Sequence, residues 1–340
     1  MQTSNFETFM DRLATIEREK NDYVVPAGKL SMVDPTTVHV DTLSNFSLNP
    51  VAHSQLAAKL DIPKKYYDRI QTIDGLREHN VNTLLQNNES NYTLRTVGGT
   101  ARAFLSDRYL PVDNYMVLNE VMPVFKQFPD VQITSSVLTD KRMYMQVVFP
   151  HTRKDITVGD PVQYGLTLTN SEVGLGAIKV ESTIWRLVCQ NGMIGKSIVN
   201  RKHVGRRITE DDNMEMFRKE TVQTDLKAFV MKLVDIIQYS LQEAQLEAMY
   251  APMRLASGIQ VAEPEAVIEN ITKRYNLNGV ESQHVLRNML AENNWTKYGI
   301  ANGITNVAHV IDIPDRQYEL EKIGNEVLNT TPAQWELLVA

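Results

Sequence analysis

The chain has 340 residues, of which 43% are hydrophobic and 22% are charged, and its formal net charge is −6. This composition is typical of a folded globular protein and excludes intrinsic disorder and fibrous repeats. The single cysteine, Cys189, excludes an internal disulfide and a multi-thiolate metal site. The sequence contains no apolar run of about 18 residues, and its first residues are polar. We therefore expect a cytoplasmic protein without a membrane segment.

The first 90 residues predict a helix, then extended chain, then two further helices. Apolar residues spaced by three and four between Phe6 and Ile16 predict an amphipathic helix. Residues 23–48 are rich in Val, Thr and Ser, which favours extended structure. Helical spacing returns over residues 50–70 and is interrupted at Pro63, so we expect two short helices there.

Between residues 92 and 182 the apolar period changes to two, which predicts β-strands. Glycine pairs and short polar turns separate the alternating runs, as expected for hairpins. Three hairpins are predicted, with turns at Gly98-Gly99, at Asp140-Lys141 and at residues 171–173. A helix over residues 115–128 interrupts these strands.

From residue 209 onward the pattern is helical. An apolar stripe over residues 222–241 predicts the longest helix, and shorter helices follow to residue 329. The predicted fold class is therefore α+β. We expect an antiparallel β-rich body with flanking helices and a basic segment over residues 1–208, followed by an α-helical C-terminal region over residues 209–340.

The common catalytic signatures are absent from the sequence. It contains no phosphate-binding loop, zinc-protease helix, nucleophile elbow or kinase signature, and its seven histidines include no i, i+4 pair. No catalytic residue, metal site or cofactor is therefore predicted. We interpret Cys189 as a buried structural residue, because only Arg186 nearby would lower the pKa of its thiol.

The main anomaly is a basic window from residue 179 to residue 207. Seven lysines and arginines against Glu181 alone give it a net charge of +6 in a chain of net charge −6. Such a segment suits contact with a phosphate backbone, and equally a solvated loop or an intersubunit salt-bridge strip facing the acidic residues 210–212. The candidate nucleic-acid-binding residues are Lys179, Arg186, Lys196, Arg201, Lys202, Arg206 and Arg207.

A second candidate site is the segment RAFLSDRYLPVDN, which mixes arginines with aromatic residues. Single-strand sites have this composition, because bases stack on rings while cations pair with phosphates. The alternative, which we favour for Phe104 and Tyr109, is that both rings fill the core while Asp107 and Asp113 pair with the arginines. The candidate nucleic-acid contacts in this segment are Arg102 and Arg108.

Three ordered motifs carry a family resemblance: S-D-R-Y at residues 106–109, N-S-E-x-G at 170–174 and R-L-V-C-x-N-G at 186–192. With the segments around them, they resemble the phage- and plasmid-related family called domain of unknown function 932, over about residues 50–330. The resemblance implies a gene of a mobile element and brings no settled activity. The fold outline is similar to that of single-strand annealing proteins.

The motifs also have physical interpretations of their own. Asn170, Ser171 and Glu172 are expected to build a strand turn, and the alternative is that the Glu172 carboxylate binds a cation or substrate. Asn191 and Gly192 predict a tight turn.

Together these observations favour a nonenzymatic protein that binds single-stranded DNA, for annealing or protection, as a homo-oligomer. The apolar stripe at 222–241 would be covered by a neighbouring subunit or by the same chain. The alternative is an interaction protein that modulates a host defence or replication protein through its C-terminal helices. An enzyme built from Glu172, Asp107 and a histidine is the third reading, and no spacing in the sequence supports it.

The basic window gives a first test. Changing Arg206 and Arg207 to Glu should weaken oligonucleotide binding, and each lost phosphate contact should lower the log–log salt slope by about 0.7 for single strands. The two readings are separated by measuring mass and affinity on the same double variant. Dissociation of an oligomer with unchanged DNA affinity would support the salt-bridge strip instead.

Overall fold

A computed structural model describes residues 6–41, 43–107, 109, 112–128, 130–201 and 219–340, with only the backbone described at 196, 199, 201 and 219–223. Within these ranges the chain forms two sheets of mainly antiparallel strands and 12 α-helices, the last seven of which make up an all-helical C-terminal part. The predicted α+β fold class is confirmed. The domain boundary predicted at residue 208 lies outside the described residues.

The first sheet and its helices occupy the N-terminal third of the chain. Its elements are α1 (Phe6–Glu19), β1 (Lys20–Pro26), β2 (Leu30–Asp34), β3 (Thr37–Val40), β4 (Asn45–Leu48), α2 (Pro50–Lys59), α3 (Lys64–Ile70), α4 (Leu76–Gln86), β5 (Asn91–Val97) and β6 (Thr100–Ser106). The strand order is β1-β5-β6-β4-β3-β2, and only β4 and β6 pair in parallel. Helices α2 and α4 cover its apolar residues.

The second sheet follows. Its elements are α5 (Asn114–Phe125), β7 (Gln132–Leu138), β8 (Met143–Val148), β9 (Lys154–Asp155), β10 (Pro161–Asn170), β11 (Ile178–Arg186) and β12 (Asn191–Arg201). The main strand order is β12-β11-β10-β8-β7, all antiparallel, with β9 paired to β10. Among the described strands, β12 is therefore at the edge of this sheet.

The C-terminal part contains seven helices. They are α6 (Lys219–Ser240), α7 (Glu243–Ser257), α8 (Pro264–Tyr275), α9 (Gly279–Ala291), α10 (Lys297–Val307), α11 (Pro314–Leu328) and α12 (Pro332–Val339). Sequence signals explain several of their starts. Proline is the first residue of α8, α11 and α12, and capping boxes begin α9 at Asn278 and α12 at Thr331.

The two faces of the second sheet differ in chemistry. Met145, Val147, Leu166 and Leu168 form an apolar face that packs against α1, α5 and α6. The opposite face carries buried polar residues such as Gln146 and lies under α10 and α11. The sheet is consequently covered on both sides, by apolar contacts on one and largely polar contacts on the other.

The predicted elements agree with the structure in most places. The three hairpins form as β5–β6, β7–β8 and β10–β11, and the predicted intervening helix is α5. The tight turn predicted at Asn191-Gly192 is wrong: both residues begin β12, and the turn spans residues 187–190 with Gln190 at φ 51°. Helices α4, α7 and α12 were not predicted.

The longest helix, α6, buries its stripe inside the chain. Leu226, Phe229, Leu233 and Ile237 pack in the apolar core of the second sheet. Their spacing of three and four residues places them on one helix face. One of the two alternatives, burial of the stripe by the same chain, therefore explains why these residues are apolar. The homo-oligomer stays a prediction.

A buried ionic cluster joins the two sheets. Arg95 on β5 pairs with Asp22 at 2.8 Å and with Asp113 at 2.6 Å, and it donates to the Glu172 carbonyl at 3.1 Å. Burial alone would raise the pKa of Asp113, but Arg95 and Lys20 outweigh it and hold that pKa below its usual value. The cluster therefore keeps its charges in pairs, with Arg95 and Asp113 buried and Asp22 and Lys20 partly exposed at its edge.

Glu172 extends this cluster to a helix and a second strand. Its Oε2 accepts from Arg102 at 3.0 Å, and its Oε1 accepts from the backbone N–H of Asn114 at 2.7 Å, at the start of α5. The carboxylate thus caps α5 from a distant turn. Gly174, two residues later, has φ +76°, which strains any other residue, and a Cβ there would lie 2.7 Å from Leu105 Cδ2 and displace that side chain.

Glu172→Ala should destabilise the fold by roughly 3 kcal/mol, because it leaves the Arg102 charge unpaired in the interior and removes the cap of α5. Urea unfolding monitored by circular dichroism measures the change. The exposed Glu89→Ala is the control and should be nearly neutral. Adding Arg102→Ala should restore part of the loss; a strictly additive double variant would contradict the proposed coupling.

Candidate functional site

Two of the predicted DNA contacts are engaged inside the protein. Arg102 pairs with Glu172, as described above. Arg186 is 6% exposed and pairs with Asp160 at 2.6 Å and with Glu292 at 2.8 Å. Because both guanidinium groups are already paired with carboxylates inside the protein, neither is free to bind a phosphate in this structure.

Cys189 belongs to the same cluster as Arg186. Its Sγ lies 3.0 Å from a Glu292 oxygen and 3.2 Å from the Arg186 guanidinium. Burial, together with the hydrogen bond to Glu292, raises the pKa of the half-buried thiol to about 11. At neutral pH it is therefore a thiol rather than a nucleophilic thiolate, in line with the structural role predicted for it.

The remaining predicted residues are divided between described and undescribed parts of the chain. Lys179 lies on β11 and is partly exposed. Lys196 and Arg201 lie on the neighbouring strand β12, where only their backbone is described. The other four lie outside the described residues: Arg108, Lys202, Arg206 and Arg207. The structure therefore brings Lys179 alone of this set to a described open surface.

The second candidate segment is mainly structural. Phe104 is 1% exposed in the core of the first sheet, and the Tyr109 hydroxyl donates to the Ser171 carbonyl at 3.1 Å. The favoured core role is confirmed for Phe104, whereas Tyr109 is partly buried and packs against a small apolar cluster. Asp113 pairs with Arg95 and Lys20 instead of the expected arginines, and Arg102 pairs with Glu172. The other expected arginine, Arg108, lies outside the described residues.

Lys179 lines a groove between the second sheet and the C-terminal helices, which we call the sheet–helix groove. It has two adjoining lobes, of about 820 and 450 Å³, which share Arg274, Tyr275, Lys322 and Glu326. Residues of the β7–β8 turn, β11 and β12 form one wall. Helices α8 and α11 and the start of α12 form the other.

Charged groups dominate the lining of the sheet–helix groove. The cations are Lys141, Arg142, Lys179, Arg274 and Lys322, and the carboxylates are Glu181, Asp315, Glu319 and Glu326. Three of the carboxylates are neutralised by ion pairs, with Lys141, Lys322 and the nearby Arg316.

Three lining cations are not neutralised by a carboxylate, although one of them, Arg142, donates a hydrogen bond to the Leu175 carbonyl. Among the described residues, Arg142, Lys179 and Arg274 form no ion pair, and Glu326 is the one lining carboxylate that likewise forms none. The groove therefore carries an excess of positive charge inside an acidic chain. The Arg274 guanidinium lies 5.6 Å from the ring centre of Tyr275, which is partly exposed beside it.

Polar contacts hold the helix wall of the groove against the sheet. The Tyr318 hydroxyl donates to the Glu181 carboxylate, which also pairs with Lys322 at 3.2 Å. At the start of α11, the Tyr144 hydroxyl donates to Asp315. These bonds satisfy buried polar groups of the sheet, so the position of α11, and with it the width of the groove, is fixed by side-chain chemistry.

Glu321 lies in the middle of the same interface and is buried. It accepts a hydrogen bond from Gln146 Nε2 at 2.7 Å, and burial raises the pKa of its carboxyl group to about 8. At neutral pH the group is therefore mostly protonated. A neutral carboxyl costs less to bury than a carboxylate, which explains how it is tolerated between α11 and the sheet.

Among the described residues, no three His, Cys, Asp or Glu side chains cluster in a way that could hold a metal ion. Within the same ranges, no helix has the length and apolarity needed to cross a membrane.

Sequence reasoning missed most of the groove. Arg274, Lys322 and Tyr275 lie far along the chain from the basic window, on helices that also carry carboxylates. Their only local signal is the adjacency of Arg274 to an aromatic residue. The three come together with Lys179 only through tertiary packing. Counting charges along consecutive residues of the sequence therefore does not detect them.

The raised pKa of Glu321 predicts a pH-dependent stability. Between pH 4.5 and about 8 the folded protein keeps a proton that the unfolded chain releases, so the free energy of unfolding should fall as the pH rises through this window. The maximum slope is about 1.4 kcal/mol per pH unit. Glu321→Gln should flatten this fall, as measured by urea midpoints at pH 5 and pH 9. If the free energy of unfolding falls equally in the variant and the parent, the pH dependence comes from other groups.

The comparisons with known proteins agree with the motif resemblance. A family model described as domain of unknown function (DUF932) matches residues 101–319, from β6 into α11. No curated protein and no solved structure gives a significant match. The match covers more than half of the chain, including the second sheet and much of the sheet–helix groove. The chain therefore belongs to the DUF932 family.

Proposed function

We propose that the protein binds single-stranded DNA along the sheet–helix groove. The observation that carries the proposal is the set of lining cations without ion pairs among the described residues, Arg142, Lys179 and Arg274, next to the partly exposed ring of Tyr275. Cations bind phosphates and release counterions, whereas aromatic rings stack on unpaired bases. The combination favours single strands over duplexes, whose bases are already stacked.

The basic window adjoins the groove at Lys179. Lys179 on β11 neighbours β12, which carries Lys196 and Arg201 and leads the chain towards Lys202, Arg206 and Arg207. We propose the remaining cations of the basic window as further contacts on the strength of their charge in the sequence alone. Arg102 and Arg186 are left out of the proposed path, because both are paired with carboxylates inside the protein.

The proposed task of the protein is to anneal or protect single strands. We propose that it acts in the cytoplasm and that its gene belongs to a phage or plasmid. The resemblance of the motifs to a family of mobile elements supports this origin. A homo-oligomer would hold two strands side by side, which annealing requires.

An alternative function, docking to a host protein, is favoured by a different observation. Leu255, Val280, Leu290 and Leu337 on the C-terminal helices are each at least 66% exposed. Exposed apolar side chains are common on soluble proteins when they are scattered, so this support is weaker than that for DNA. A stable partner that survives nuclease treatment in a pull-down would favour the alternative.

The proposal is tested by removing two of the groove cations. Lys179→Ala combined with Arg274→Ala should weaken binding to an oligo-dT of 20 nucleotides. The log–log salt slope should fall by about 1.4, because each lost phosphate contact contributes about 0.7 for single strands. Fluorescence anisotropy at several salt concentrations gives both quantities.

The control is Lys273→Ala, on the same helix as Arg274. Lys273 is exposed and pairs with Glu269 at 2.7 Å, and it is not among the lining residues of the groove. Its loss should leave affinity and slope nearly unchanged. An unchanged slope in the folded double variant would rule out the groove as the DNA site.

A further inference from the structure

The β10–β11 loop, over residues 171–177, contacts the β7–β8 turn in the wall of the larger lobe. Ser171, in the N-S-E-x-G motif, is 1% exposed, and its hydroxyl donates to the Lys141 carbonyl at 2.7 Å. The same oxygen accepts from the backbone N–H of Leu175 at 3.1 Å. One buried hydroxyl therefore joins the loop to the turn that carries Lys141 and Arg142, two of the cations that line the groove.

The β10–β11 loop also holds the side chain of Arg142. The guanidinium Nη2 donates to the Leu175 carbonyl. Gly176 leaves the space beside this group free, because a Cβ at that position would lie 3.1 Å from Arg142 Nε and 3.7 Å from Nη2. Within the turn, the backbone N–H of Arg142 donates to Thr139 Oγ1 at 3.0 Å. Both the backbone and the head group of this arginine are therefore held before any ligand binds.

The loop itself is anchored on the side away from the groove. The Ser171 carbonyl accepts from the Tyr109 hydroxyl at 3.1 Å, and the Val173 carbonyl accepts from Gln55 Nε2 at 2.7 Å. The carboxylate of Glu172 is bound at the start of α5, as described above. The position of the loop is thus determined by contacts with the core of the protein, so the loop is a firm support for Arg142.

Arg142 still has binding capacity to offer a ligand. Its guanidinium group has five N–H donors, and the Leu175 carbonyl, which accepts from Nη2, does not neutralise its charge. Among the described residues no carboxylate pairs with it, and it lines the larger lobe opposite Arg274. A side chain that is ordered before binding loses less conformational entropy when a ligand binds. The supported guanidinium is therefore better suited to a phosphate oxygen than a freely rotating one.

Resting on the proposed function, we infer that Ser171 and Gly176 are positioning residues, which hold Arg142 as a preformed phosphate site in the larger lobe. The ligand of this site is a backbone phosphate of the bound strand. Ser171 itself does not contact DNA, because its hydroxyl is buried and both of its hydrogen bonds lie inside the protein. The loop acts on binding through Arg142.

The experiment is a double-variant cycle on the affinity for a 20-nucleotide oligo-dT, measured by fluorescence anisotropy at several salt concentrations. Arg142→Ala should weaken binding roughly tenfold and lower the log–log salt slope by about 0.7, because one charge-assisted phosphate contact is lost. Ser171→Ala should weaken binding at least about threefold and cause at least half of that fall in slope. A merely structural role would lower stability and leave the slope of the folded variant unchanged.

The cycle shows whether Ser171 acts through Arg142. Ser171→Ala should change the affinity less than about twofold when Arg142 is already replaced by Ala, because the supported group is then absent. In combination with Arg274→Ala, whose side chain lies on the opposite wall, Ser171→Ala should keep its full effect.

Two further variants support the test. Ser257→Ala is the matched control, because the Ser257 hydroxyl also donates to a backbone carbonyl, that of Arg254 at 2.7 Å, and Ser257 is not among the lining residues of the groove. Affinity and slope should stay nearly unchanged. Gly176→Val keeps the Ser171 hydroxyl and fills the space beside Arg142 Nε, so it should lower the slope as Ser171→Ala does. It decides the question if circular dichroism shows that Ser171→Ala does not fold.

The outcomes separate the two proposals. If Arg142→Ala leaves affinity and slope unchanged while the Lys179→Ala and Arg274→Ala pair lowers both, the Arg142 site is overturned and the proposed DNA binding stands. If Ser171→Ala weakens binding equally with and without Arg142, the positioning role is overturned. A parental slope in folded Ser171→Ala or folded Gly176→Val overturns it as well. Absence of salt-dependent binding by the parent protein removes both proposals.

Discussion

The polar face of the second sheet is the constraint on which the rest of the helical part depends. A buried carboxylate or amide needs a hydrogen-bonding partner, and the face presents Gln146 and Glu181 to the interior. Helix α11 supplies the partners with Glu321, Tyr318 and Lys322. An apolar helix could not take this place without leaving those groups unsatisfied. The helix that completes the fold therefore also forms a charged wall for the groove.

The ionic cluster between the two sheets follows the same rule with full charges. Arg95 is almost completely buried, and it donates to oxygens of three residues from three different segments: both carboxylate oxygens of Asp22, one of Asp113 and the Glu172 carbonyl. Such a cluster adds little net stability compared with an apolar contact of the same volume, but breaking it is costly. We interpret it as fixing how the two sheets and α5 meet, since the guanidinium is satisfied only when all three segments are in place.

The sequence predicted those features that depend on local pattern. Alternating residues and the Gly98-Gly99 turn located the hairpins, and the spacing from Leu226 to Ile237 located α6. Helix α4 was missed because its buried residues include Arg77, whose guanidinium bonds backbone carbonyls. The partners of Arg186 could not be predicted either, because Glu292 is 106 residues away along the chain. Long-range ion pairs leave no periodic signal in a sequence.

The motifs that identify the family are therefore poor guides to its chemistry. Glu172 of the N-S-E-x-G motif caps a helix, and Arg186 and Cys189 of the R-L-V-C-x-N-G motif share the partly buried carboxylate of Glu292. A residue whose hydrogen bonds are all made inside the protein has nothing left to offer a ligand. Groups such as Arg274 and Lys179, exposed in a groove and without an ion pair among the described residues, can bind one. A search for function in this chain should therefore start from exposed polar and charged side chains that have no partner among the described residues, rather than from its most recognisable motifs.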